Sequence, residues 1–189
     1  MNPMLKLTRT VAGENPASLS VEDTGVVSVY RKSPVYVDKV YWRANPKAND
    51  ALVSLDISEV GEILNFELLT YNGRIRAGET LRPSDANPGG EHIVWVSTEC
   101  WRRPESARGM PKTAWRYADC DVPVRLSLGK HSLCVSLGDA EPRTFIRMTK
   151  CLGFGLDDLS QITVFYVDDF VGAARDAFIK RYGSLLQKA

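Results

Sequence analysis

The sequence predicts an α+β fold: a predominantly antiparallel β-sheet of meander hairpins, flat or curved, with one C-terminal α-helix packed on one face. Three observations carry that expectation. Residues 122 to 137 read VPVRLSLGKHSLCVSL, with apolar side chains at every second position, Val122 to Leu128 and again Leu133 to Leu137. That is the two-residue period of half-buried strands. Residues 51 to 69, ALVSLDISEVGEILNFELL, repeat the pattern around an acidic turn. At the end of the chain the period changes, and Phe170, Val171, Ala174, Phe178, Tyr182 and Leu185 fall on one helical stripe.

Each element follows from local chemistry. In the central hairpin, Gly129-Lys130 has the form of a two-residue II′ loop, with glycine where a positive φ is needed. That loop would set Leu128 opposite His131, Leu126 opposite Leu133, Val124 opposite Val135 and Val122 opposite Leu137. A slip of one residue would turn the aliphatic face into water, so the register is strongly specified. In the second hairpin, a connection over residues 58 to 61 would set Leu55 opposite Leu64, Val53 opposite Phe66 and Ala51 opposite Leu68. Asn72-Gly73 then offers a tight turn into a short strand, residues 74 to 77, that continues the meander.

Elsewhere, Met4, Leu5, Leu7 and Val11 alternate with polar residues and suit a first strand. Residues 12 to 25 are rich in turn formers and are expected to be loop. Residues 26 to 31 and 35 to 42 are β-branched and aromatic, and read as strands separated at Ser33-Pro34. Residues 43 to 50 and 78 to 91 read as loops. Residues 93 to 96, IVWV, form a continuous apolar run expected to be buried on both faces. Residues 144 to 155 do not distinguish strand from helix, and residues 162 to 167 read as a late strand. The closing helix takes Asp168 or Asp169 as its cap and turns Arg175, Lys180 and Lys188 outward.

Composition bounds the function. With 189 residues, 44% of them hydrophobic and 25% charged, the chain has the size of one domain spanning residues 1 to 189 and enough apolar material for a core. A net charge of +1 gives no overall attraction to nucleic acid or acidic lipid, so charge-based recognition would require a local patch. No apolar run reaches the ~18 residues of a membrane span, and residues 1 to 16 lack the continuous apolar core of a secretory signal. A cytosolic location with reduced thiols is therefore expected for Cys100, Cys120, Cys134 and Cys151, which form no CxxC pair and have no histidine at metal-ligand spacing.

No cofactor, metal or catalytic motif is recognisable. There is no GxSxG, Walker or GxGxxG pattern, and GFG at residues 153 to 155 lacks the companion motifs of a kinase. Asn87-Pro88-Gly89-Gly90 is not followed by a helical pattern and reads as a turn. His92 and His131 lie outside any HExxH-like spacing. The pairs Asp157-Asp158 and Asp168-Asp169 flank a strand whose length keeps its ends ~20 Å apart, so they are read as helix caps rather than one metal site.

The informative irregular stretch runs from 99 to 121, ECWRRPESARGMPKTAWRYADCD. Its middle part carries Arg102, Arg103, Arg108, Lys112 and Arg116 against one acid, Glu105, with Trp101, Trp115 and Tyr117 among them. Long loops in small domains tend to carry function. Arginine with tryptophan and tyrosine is the composition of interface hot spots. The partner-binding residues expected are Trp101, Arg102, Arg103, Arg108, Lys112, Trp115 and Arg116. The same mixture could stack the bases of single-stranded nucleic acid, and a third reading builds a metal-dependent enzyme on Glu99, Asp119 and Asp121. A solvated loop whose tryptophans plug the core is the plain structural reading.

The hairpin at residues 56 to 68, D-I-S-E-V-G-E-I-L-N-F-E-L, resembles hairpins of small bacterial immunity proteins from polymorphic toxin systems. That resemblance implies a small cytosolic protein without chemistry of its own that binds and neutralises another protein, such as a toxin domain. Pairing of exposed strand edges would allow a homodimer.

Overall fold

The structure, a computed structural model, describes residues 4–31, 39–44, 51–78, 90–101 and 117–187. Among these residues the chain is mostly β-sheet with one C-terminal α-helix, and neither large sheet closes into a barrel. No helix among them is long and apolar enough to cross a membrane.

The strands are β1 (Leu7–Ala12), β2 (Ala17–Val21), β3 (Val27–Arg31), β4 (Lys39–Ala44), β5 (Ala51–Ser58), β6 (Ile63–Tyr71), β7 (Ile75–Ala77) and β8 (His92–Val96). They continue as β9 (Tyr117–Cys120), β10 (Val124–Leu128), β11 (Leu133–Leu137), β12 (Thr144–Thr149), β13 (Leu152–Leu156) and β14 (Ile162–Val167). The helix α1 (Gly172–Tyr182) and a two-residue strand β15 (Leu186–Gln187) close the chain. One sheet has the order β2-β3-β6-β5-β4-β9, a second the order β12-β13-β14-β11-β10-β7-β15, and β1 pairs with β8 in a separate ribbon.

The period-two alternation is what packs the two sheets together. On the first, Val29, Phe66, Leu55, Trp42 and Ala118 lie abreast on one face, and Val27, Leu68, Val53, Ala44 and Cys120 form the adjacent row. On the second, Leu126, Val135, Phe165 and Phe154 lie abreast. The two apolar faces meet in one continuous core. Phe165 lies 5.0 Å from Phe66 and 6.5 Å from Trp42, ring centre to ring centre, and Phe154 meets Phe165 edge to face. The polar residue at every second position is thereby turned outward.

Several expectations are corrected. The central hairpin pairs Leu128 with Leu133, Leu126 with Val135 and Val124 with Leu137, two residues away from the expected register. Its loop spans four residues, closed by Gly129 N–H donating to the Ser132 carbonyl at 2.9 Å, and Gly129 does not have a positive φ. The second hairpin also shifts by two, pairing Leu55 with Phe66 and Val53 with Leu68. Gly61, at φ +91°, makes that turn. Beyond a bulge between Leu52 and Val53, Ala51 pairs with Tyr71 rather than Leu68, while the shift of two elsewhere preserves facing, so the apolar faces survive.

Strand β7 does not return onto β6. The Tyr71 hydroxyl donates to the Arg74 carbonyl at 3.0 Å, and the ring fills the space above Gly73. The chain thus wraps around its own tyrosine and crosses to the other sheet, where β7 runs parallel to β10 and to β15. Residues 17 to 21, expected as loop, form β2. Strand β8 is buried on one face only, through Val94 and Val96, because it sits in the small ribbon. Residues 144 to 156, which the sequence left between strand and helix, form the hairpin β12–β13, with Gly153 and Gly155 inside a strand.

The helix begins later than expected. Its N-cap is Val171 without a side-chain hydrogen bond, and Asp169 sits at φ +53° in the turn before it. Phe170, Phe178 and Tyr182 are buried and stack in sequence, while Val171 remains 45% exposed. The helix packs beside β2, and Gly25, at φ +91°, lets the backbone lie against Tyr182. Arg175, expected in solvent, donates to the Gly129 carbonyl at 2.6 Å and ties the helix to the central hairpin.

Candidate interaction surface

The outward residues of the six-stranded sheet also lie in rows. Ser18, Tyr30, Asn65, Asp56, Tyr41 and Tyr117 are abreast, followed by Ser20, Ser28, Glu67, Ser54, Arg43 and Asp119. These rows are cross-linked. The Tyr30 hydroxyl donates to Glu67, while Lys39 Nζ and Asn65 Nδ2 both donate to Asp56, at 2.8 and 2.9 Å. The bond to Glu67 raises the pKa of Tyr30 above its usual value, since losing the proton would set two negative charges side by side. Burial alone would lower Lys39, yet the hydrogen bond and charge of Asp56 outweigh it and hold the ammonium form.

At the β4–β9 end the face becomes aromatic and exposed. Tyr41 and Tyr117 stack with centres 5.1 Å apart, and the Arg43 guanidinium lies 4.4 Å above the Tyr117 ring. Arg43 forms a two-point bond with Asp119, at 2.8 and 3.0 Å. Tyr117 is 51% exposed. This cluster is built by the parallel pairing of β9 with β4, which sets Tyr41 beside Tyr117 and Arg43 beside Asp119.

The same strand β4 holds both feet of the basic segment. A 3₁₀ turn (Glu99–Trp101) precedes residue 102, and the Trp101 indole N–H donates to the Tyr41 carbonyl at 3.0 Å. On the far side, chain order returns at Tyr117, paired with Tyr41. Trp101 is 4% exposed, which corrects its reading as a contact residue. Its ring belongs to the core cluster and its polar edge is used up on the backbone. Arg102, Arg103, Arg108, Lys112, Trp115 and Arg116 lie outside the described residues.

The other singled-out residues have structural partners. Asp157 Oδ1 accepts from the backbone of Leu159 and Gln161, at 2.9 and 2.8 Å, capping a turn between strands rather than a helix. Asp168 is paired with Arg147 at 3.5 Å. Cys120, Cys134 and Cys151 are buried and unbridged, and burial pushes the Cys134 thiol up to about 11. Among the described residues no three His, Cys, Asp or Glu side chains gather as a metal site.

Sequence reasoning missed Tyr41 and Arg43. The alternation in VYVDKVYW already gave Tyr41 and Trp42 opposite faces, so the outward tyrosine was legible, but its alignment with Tyr117 depends on a pairing across 76 positions. No protein-family model matches this chain, and no curated protein matches it.

Proposed function

We propose that this chain is a cytosolic protein-recognition module without chemistry of its own, which binds and neutralises a partner protein in the manner of toxin-immunity proteins. The surface assigned to the task is the β4–β9 rim, with Tyr41, Arg43, Tyr117 and Asp119, together with the adjoining segment 102–116. One observation carries the reading: both feet of a segment rich in arginine are fastened to Tyr41, which stacks on the exposed Tyr117 ring with Arg43 over it. Fixing the feet reduces the ordering cost of binding, and rigid rings with planar guanidinium groups are the usual anchors of protein interfaces. Asp56, Glu67 and Asp119 on the same face disfavour a phosphate backbone and favour a partner of mixed charge.

The test is co-expression with the product of the adjacent gene, followed by calorimetry of the purified pair. A complex is expected, weakened at least about tenfold by alanine at Arg43 or Tyr117, in line with interface anchors. The set Arg102, Arg103, Arg108, Lys112, Trp115 and Arg116 changed to alanine should abolish it. Unchanged affinity across all these variants would overturn the assignment. Binding of a single-stranded oligonucleotide that collapses with added salt would replace it with a nucleic-acid reading.

A further inference from the structure

The seven-stranded sheet presents a second outward face, on the side of the molecule opposite its core and separate from the β4–β9 rim. Pairing sets Arg76, Ser127, Cys134, Tyr166, Gly153 and Arg147 abreast on it. Arg125, Ser136, Val164, Gly155 and Phe145 form the neighbouring row. Ser127, Cys134, Ser136 and Gly155 are small, and the surface is recessed among them. Residues 138 to 142 cross over the recess and enclose a cleft of about 440 Å³, a size suited to a small molecule.

The crossing segment is fastened at both ends. Arg125 donates to the Gly138 carbonyl and pairs with Asp139 at 2.6 Å. At the other end Arg143 N–H donates to Leu156 at 2.7 Å, and Pro142 rests on Gly155, where an added Cβ would lie 2.6 Å from the proline. The cleft floor is apolar, formed by Cys134, Val164 and the Tyr166 ring. Its thiol is no nucleophile, since burial keeps it protonated.

Charge in the cleft is divided. Arg125 and Asp139 neutralise each other. Arg76 on β7 and Glu141 on the crossing segment also line it, and the side chain of neither makes an ion pair or hydrogen bond among the described residues. Arg76 stands on β7 and Glu141 on the segment that links β11 to β12, and no ion pair joins them among the described residues. An occupant that satisfied both would carry an anion at one end, a cation at the other and an apolar middle.

We propose that this cleft binds a short zwitterion of that form, the class of dipeptides and ω-amino acids, with its carboxylate on Arg76 and its ammonium on Glu141. The planar guanidinium suits a carboxylate, and Ser127 beside it supplies a further donor. This site is independent of the partner surface proposed above.

The experiment is calorimetric and NMR titration of the full chain with 6-aminohexanoate and glycyl-phenylalanine, against hexanoate and hexylamine as half-ligands. The zwitterions are expected to bind at least about tenfold more tightly than either half, as two charge-assisted contacts would give. Arg76→Ala should weaken hexanoate and spare hexylamine, and Glu141→Gln should do the reverse. Both side chains are exposed, so the variants should keep the parent melting temperature. Ser136→Leu, which fills the recess, should abolish binding of all four. Absence of binding at millimolar probe, zwitterions no tighter than their halves, or full binding by Ser136→Leu would each overturn the proposal.

Discussion

The indole of Trp101 gives its one proton to the backbone carbonyl of Tyr41, at 3.0 Å, from a position almost wholly inside the core. The contact fixes where residue 102 leaves the scaffold. Replacing Trp101 by alanine should cost about 3–5 kcal/mol, the range for a large buried ring. Phenylalanine should keep most of the packing and lose about 1 kcal/mol for the hydrogen bond. Urea unfolding of the two variants measures the difference, and a phenylalanine variant as stable as the parent would show that the bond contributes nothing.

Gly153 lies under the Phe145 ring, and a Cβ there would overlap it. Gly153→Ala should therefore destabilise by about 1–3 kcal/mol, as overpacking does. Combining it with Phe145→Ala should give less than the sum of the two single losses, because the smaller side chain removes the clash. Additive losses in thermal melts would place the strain elsewhere.

Two turn glycines should respond differently. Gly61 sits at φ +91° and faces the Val96 carbonyl so closely that a methyl group has no room. Alanine there should cost more than about 1 kcal/mol, from backbone and contact together. Gly129 does not take a positive φ, so Gly129→Ala carries no left-handed backbone penalty and should cost less than Gly61→Ala. A large loss at Gly129 would favour the two-residue turn that the sequence suggests.

Alkaline pH should weaken the fold. Tyr30, Lys39, Cys134, Cys151 and Tyr182 all hold their protons more tightly in the folded chain, Tyr30 through Glu67, Lys39 through Asp56, and the other three chiefly through burial. The folded state therefore binds more protons than the unfolded state above the ordinary thiol value, and stability falls as pH rises. For Cys134 the window runs from 9.0 to about 11. Denaturant midpoints should decline across it, and Cys134→Ala should flatten part of the slope. A midpoint constant through that window would contradict the raised values.

Alternation is a local property, which is why so much of the sheet architecture could be read in advance. Val124, Leu126, Val135 and Phe66 had to share a face with their neighbours whichever strands they met, since burial rewards parity and a shift of two leaves parity intact. The short strand β2 escaped notice because Ala17 to Val21 alternates weakly among turn-forming residues. Trp101 was legible as a ring in a basic segment, but whether it pointed to solvent or to Tyr41 was not.

What the sequence determined by itself is the facing of the strands in the two strong hairpins, the helix at the end and the concentration of charge between 102 and 116. Tertiary structure alone decided that the strands divide into two facing sheets, that β7 crosses between them around Tyr71, and that Tyr41 meets Tyr117. The physical reason is the range of the forces concerned. A side chain's facing follows from its neighbours two positions away, whereas the choice of partner strand is settled only when distant segments compete to bury the same apolar surface.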